Sequence, residues 1–294
     1  MESVRRNPLH QARTTSAALR AIAARVEAAQ GRAITGIAVE RPSDAPGEWS
    51  AIHALASDRD DQAVWQAGAD HAQDLLDTAD AALGDAGDAL KQALERAVQM
   101  SNGTYATSSR TAAAGEIVSI RAALVAAANT KVGDRSLFAG DAFHGPAFDA
   151  AGTYLGGPAS AAIRIGRGDD LVVAQDGGQI FAGGVDVFAV LADLEAALAA
   201  DDPVAVAATL APLQVAHDQL VGAREAVGFG QQRADDARTI AQGLSTLLEG
   251  RLSARIAADP VTSFQEFSAL KTSYEAALQV TASASGASLF GMLR

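Results

Sequence analysis

Cysteine is absent from this chain of 294 residues, which removes disulfides, thiolate metal sites and thiol catalysis together. Aromatic residues make up only 5% although hydrophobic residues reach 49%. The apolar mass is therefore mostly Ala, Leu and Val, which suits close helix–helix packing better than a bulky core. Basic residues are outnumbered 23 to 35, a net charge of −12, and no Lys/Arg cluster runs against that trend. A nucleic-acid or anionic-membrane partner is not expected of such a surface. No apolar run approaches the roughly 20 residues that span a bilayer. Met1 to Pro8 leads into no apolar stretch, so no Sec-type signal is expected.

Proline is missing from Gly47 to Gly145 and again from Leu213 to Asp259, while 12 of the 27 glycines fall between Gly133 and Gly184. Two proline-free Ala/Leu blocks around a glycine-rich insert predict a mainly α fold. Both chain ends would form one discontinuous, coiled-coil-like helical bundle, and the insert a small β-rich domain. The divisions expected are 1–46, a terminal helix and the segment after it; 47–132 and 201–258, two halves of a long-helix rod; 133–200, the insert; and 259–294, a last helix.

The periodicity is strongest after Gly47. Ala69, Ala72, Leu76, Ala79, Leu83, Ala86, Leu90, Ala93, Ala97 and Met100 alternate three- and four-residue steps on one stripe. Leu19, Ile22 and Val26 repeat the spacing near the start, and Tyr274 and Leu278 near the end. Strands are expected at Ser136–Gly140, Gly152–Gly156, Ala162–Ile165 and Leu171–Val173. Asp202-Pro203 and Asp259-Pro260 read as helix starts, Pro212 as a restart or kink, and Ser43 or Asp44 as a cap for the helix after Pro46. The chain closes on Leu289, Phe290 and Leu293, apolar residues with no later chain to cover them.

Chemistry-bearing patterns are missing. The histidines (His10, His53, His71, His144, His217) make no HxxxH or HExxH spacing. Asp58-Arg59-Asp60-Asp61 lacks the glycine and spacing of a calcium loop. Arg167-Gly168-Asp169 reads as a plain turn, His217 as a core or seam residue, and no glycine run has the context of a phosphate loop. No catalytic residue, cofactor or metal site is expected, and no enzyme.

Several segments carry a resemblance. Thr35-Gly36-Ile37-Ala38-Val39-Glu40-Arg41-Pro42-Ser43-Asp44-Ala45-Pro46 is similar to the "TG-x-x-I-x-x-PSDDP" spoke of the flagellin superfamily. Asn129-Thr130 followed by Leu137-Phe138-Ala139-Gly140 resembles that family's exit from its third helix. Tyr274-Glu275-Ala276-Ala277-Leu278 and Ser288-Leu289-Phe290 resemble its tail. Pro42 and Pro46 around Ser43-Asp44 fit the hook–filament junction branch better than filament flagellin, although Ala45 replaces the second acid.

The resemblance implies a structural subunit of the bacterial flagellum that packs in a ring through terminal helices. The first hook-associated protein would lie on the hook side and flagellin on the filament side. It also implies extracellular placement after flagellar type III export and a cytoplasmic export chaperone. The implied subunit interface uses Leu19, Ile22, Val26, Tyr274, Leu278, Leu289, Phe290 and Leu293. Filament flagellin is the near alternative; a cytoplasmic coiled-coil scaffold and an enzyme with a site in the insert are the distant ones.

Overall fold

The computed structural model describes residues 8–142, 144–158, 161–174 and 176–292, with side chains in the terminal helices described from 13 and up to 283. Seven helices and two small antiparallel sheets occupy the described residues. They are α1 (Pro8–Thr35), α2 (Trp49–Met100), α3 (Thr107–Ala128), β1 (Lys131–Val132), β2 (Arg135–Ser136), β3 (Ala162–Gly166), β4 (Asp169–Val172), α4 (Gly177–Ala182), α5 (Val187–Ala199), α6 (Pro203–Ile256) and α7 (Pro260–Met292). The chain divides into two compact units: unit 1 is Met1–Arg59 with Thr246–Arg294, and unit 2 is Asp60–Ser245. The mainly α, coiled-coil-like fold with a small inserted domain is the one the periodicity predicts.

Unit 2 holds most of the core. Every member of the Ala69–Met100 stripe on α2 is at most 4% exposed. On α6, Leu213, Leu220, Val227, Ala234 and Ala241 recur at strict seven-residue steps and are equally buried. Polar pairs flank this seam and fix its register. Asp70 lies 4.0 Å from Arg238, Asp77 accepts from Gln231 at 2.8 Å, and Asp80 takes a bidentate pair from Arg224 at 2.6 and 3.0 Å. As α2 numbers rise, their α6 partners fall, so the two helices run antiparallel. The Arg224 bonds hold the Asp80 carboxyl below its ordinary pKa.

Helix α3 is long and apolar enough to cross a membrane, contrary to the expectation that no segment approaches that length. Its charged side chains are nonetheless spent inside unit 2: Arg110 on Asp201, Glu116 on Arg96 and Arg121 on Glu195. Arg110 is buried and also donates to the Met100 and Asn102 carbonyls, tying the α2–α3 turn to the turn before α6.

The insert packs around rings. Phe138, Phe148, Phe181, Phe188 and Tyr154 contact one another with centroids 5.1–5.8 Å apart. Strand content is lower than expected. The predicted strand at Gly152–Gly156 contributes only a bridge between Phe148 and Tyr154. Asp149 closes a tight turn on the Ala151 and Thr153 amides, and Gly152 has φ +93 with the Phe188 ring where a Cβ would lie. The β3–β4 hairpin lies so close to α2 that a Cβ on Gly68 would meet the Arg164 carbonyl at 2.4 Å.

Two amide side chains pin the insert to the helices. Asn129 donates to the Phe148 carbonyl and accepts from its N–H, both at 2.9 Å. Gln219 accepts from the Gly184 and Val185 N–H groups and donates to the Ile180 carbonyl. Replacing Asn129 with Ala orphans both Phe148 groups, at an expected cost of about 2 kcal/mol. Hydrogen exchange of residues 146–155 is expected to accelerate while α2 and α6 keep their protection; unchanged exchange there would contradict the pinning role.

Two helix starts match expectation: Asp202 accepts from the Val204 and Ala205 amides, and Asp259 from Val261. Pro212 neither restarts nor ends a helix, since α6 is continuous through it. The bond it denies to the Ala208 carbonyl is offset by buried Val206, Thr209, Leu213 and Ala216 on either side.

Candidate assembly interface

Unit 1 has almost no core of its own. Among its described residues only Ala29, Ile52, Leu252 and Ser263 are buried. Helices α1 and α7 pair antiparallel, with Arg32 joined to Glu266 at 3.0 Å. Further along, Leu19 and Ile22 line a shallow apolar cleft with Ala276, Ala277 and Val280. Two helices alone cover only one side of each other's apolar stripe. Leu19, Ile22, Val26 and Tyr274 are accordingly half-buried, and Leu278 is 42% exposed.

More apolar surface stays open, at the rim of that cleft and beyond it. Ile34, Val261, Phe264 and Val280 are each more than 60% exposed. Sequence periodicity passes over Ile34, Val261 and Val280 because they fall off the heptad positions. A fully buried side chain of this size is worth roughly 1.5–3 kcal/mol, so a large share of that free energy is unrealised in one copy. Leu289 and Phe290 belong to α7, but their side chains lie outside the described ones, and Leu293 lies outside the described residues.

The segment between α1 and α2 is clipped to the joint between α6 and α7. Gly36 turns the chain at φ +70, Ala258 donates to the Gly36 carbonyl at 2.8 Å, and Ala38 donates to the Ile256 carbonyl at 2.6 Å. Ile37 and Ala257 make the resulting antiparallel bridge, and Arg255 reaches Glu48 at 3.3 Å. Pro42, Ser43, Asp44 and Pro46 are all exposed.

Asp44 does not cap α2 as expected. Its carboxylate bends back to accept from the Arg41 N–H at 2.9 Å and the Glu40 N–H at 3.1 Å. A short acidic side chain can satisfy amides on either side of it, and here the preceding turn wins. These bonds, with Arg41 first, hold its pKa below the ordinary aspartate value. A depressed folded pKa gives a contribution fully present above the unfolded value, about 3.9, and lost as pH falls through the folded one. The Glu40 and Arg41 amide resonances are expected to stay fixed between about pH 8 and pH 5 and to shift in acid below about pH 4. The Asp44→Asn variant should lack that transition, and an identical acid shift in it would reassign the titrating group.

Patterns weighed for chemistry take structural places. Asp169 of Arg167-Gly168-Asp169 opens β4 and pairs with Arg233 at 2.7 Å, so its carboxylate is tied to α6. Asp58 to Asp61 lie within α2, with no calcium-loop bend. His217 is half-buried between Leu213 and Leu220. Among the described residues, no group of three or more acidic or histidine side chains could hold a metal ion.

Comparison with known proteins gives a consistent likeness. Residues 7–142 match the family model of the bacterial flagellin N-terminal helical region. A chain from Vibrio parahaemolyticus described as a flagellar hook-associated protein is 16% identical at a TM-score of 0.67, over 73% of this chain and 100% of that one. FlgL of Bacillus cereus is 21% identical at 0.59, over 69% and 100% respectively. The flagellar junction protein FlgL of Legionella pneumophila is 13% identical at 0.58, over 68% and 98%. At such identities the likeness is one of fold. No curated protein matches the chain significantly.

Proposed function

We propose, for a chain whose residues 7–142 match the bacterial flagellin N-terminal helical region and whose fold is like that of flagellar hook-associated proteins, a subunit that joins hook to filament. Copies pack in a ring through α1 and α7, with the first hook-associated protein on the hook side and flagellin on the filament side. The observation that carries this reading is the unfinished core of unit 1, whose apolar stripe lacks cover in one copy. Leu19, Ile22, Val26, Tyr274 and Leu278, with Leu289, Phe290 and Leu293 beyond them, are the interface side chains. Pro42 to Pro46 sit at the joint between the terminal pair and the long helices.

In this reading the protein performs no chemical step; packing energy does its work. It is exported through the flagellar type III channel, held beforehand by a cytoplasmic chaperone, and acts outside the cell. Residues 133–200 form the outer surface of the assembled ring.

A second reading, filament flagellin, is favoured by one observation, the family match to flagellin's own N-terminal region. Amount separates the two. A junction subunit is a minor component of isolated flagella, and its purified form makes no long filaments. A major share of the appendage mass, or long filaments from the purified chain alone, would make it a flagellin. Loss of the chain from the flagellar fraction altogether would sink both.

A further inference from the structure

Charge is segregated between the two units. Unit 2 carries 25 acidic against 11 basic residues, unit 1 only 10 against 12. On α1, Arg13, Arg20, Arg25 and Arg32 face a single acid, Glu27. Glu266 engages Arg32, whereas Arg13, Arg20 and Arg25 are exposed with no ion-pair partner among the described residues. At about 100° per residue, Arg13 and Arg20 lie on the side of α1 opposite Ile22 and about a third of a turn from Leu19, with Ala17 and Ala24 beside them. Small side chains there let another helix approach closely.

Unit 2 has the complement. Asp74, Asp85, Asp88 and Glu95 share one exposed face of α2 without ion-pair partners among the described residues, and Asp77 on the same face is held by Gln73 and Gln231. That face extends about 30 Å at the helical rise. Beside it α2 and α3 leave a trough in two adjoining stretches, of about 450 and 430 Å³. Asp85, Asp88 and Glu95 line it, with Ala89 and Ile120 between them, while Arg96 and Glu116 in the same lining pair with each other at 2.6 Å.

Resting on the flagellar reading above, we propose that this trough on one copy receives the outward face of α1 from a second copy. Each copy carries both halves of the contact, so it propagates from subunit to subunit as a ring or helical array requires. The apolar side of α1 supplies packing against neighbouring terminal helices; the basic side sets orientation, because complementary charge suppresses wrong registers.

The lack of cysteine makes a direct test clean. Ala21→Cys and Ser119→Cys are introduced together into the full chain, and isolated flagella are oxidised. A ladder of covalent multimers is expected from the double variant and none from either single one. Monomer alone, or a crosslink within one chain, would overturn the contact. Absence of the chain from flagella would overturn the flagellar reading itself, whereas presence without a ladder removes only this contact. An independent check uses charge: Arg20→Glu and Asp88→Lys should each weaken self-association about 10-fold, and combining them in one chain should restore much of it. No recovery in the combined variant counts against the pairing.

Discussion

Replacing Leu19 and Ile22 with glutamate is expected to abolish self-association while leaving unit 2 folded. Both side chains line the cleft between α1 and α7 and are half-buried within one copy. A carboxylate there remains hydrated in the monomer, where one side of the helix pair is open. In an assembly that closes over the cleft, the same carboxylate loses its water without gaining a partner. Two such groups should weaken association on the order of 100-fold or more. Unit 2 draws its core from α2, α3, α5, α6 and the insert, so its unfolding transition should shift little. Sedimentation velocity reads the first effect and calorimetry the second. Association as strong as that of the unchanged chain would show that the stripe serves only the α1–α7 pair.

A second large effect is expected inside the insert. Phe181 is fully buried and touches Phe138, Phe148 and Phe188 at centroid distances of 5.3–5.8 Å. Truncation to Ala removes the shared member of three ring pairs and leaves a cavity lined by rings whose positions the backbone fixes. The expected destabilisation is about 3–5 kcal/mol, the range for buried Phe→Ala changes. Chemical denaturation with a probe in residues 133–200 measures it. A loss under about 1 kcal/mol would mean that the rings collapse into the gap and that the cluster is not the insert's core.

Helical repetition makes the rod legible in the sequence. The Ala69–Met100 stripe and the seven-residue steps from Leu213 are visible because a long helix with one buried seam must repeat its apolar residues. Asp202 and Asp259 are visible because a cap followed by proline has few other uses. Asp44 misleads because the same side chain can serve amides before or after it. Glycine-bounded apolar runs in the insert look like strands, but extended chain becomes a sheet only where a partner strand exists, and Tyr154 finds just one bridge.

Helix α4 is hidden for the opposite reason. It opens on Gly177-Gly178, poor helix formers, and forms because Asp176 caps the Gly178 amide and Gly177 fits against the Phe138 carbonyl. For the proposed assembly surface, Leu19, Ile22 and Val26 are legible as an apolar stripe at the chain's start. Ile34, Val261 and Val280 need coordinates, since only their exposure sets them apart from ordinary core residues. The two amide pins, Asn129 and Gln219, join residues 19 to 39 positions apart and carry no periodic signature.

Electron microscopy of isolated flagella, labelled with antibody against residues 133–187, tests the central claim most directly. A junction subunit places the label in a single band where hook meets filament. Label along the whole filament would contradict the junction role and make the chain a flagellin, and an unlabelled appendage would contradict the flagellar assignment altogether.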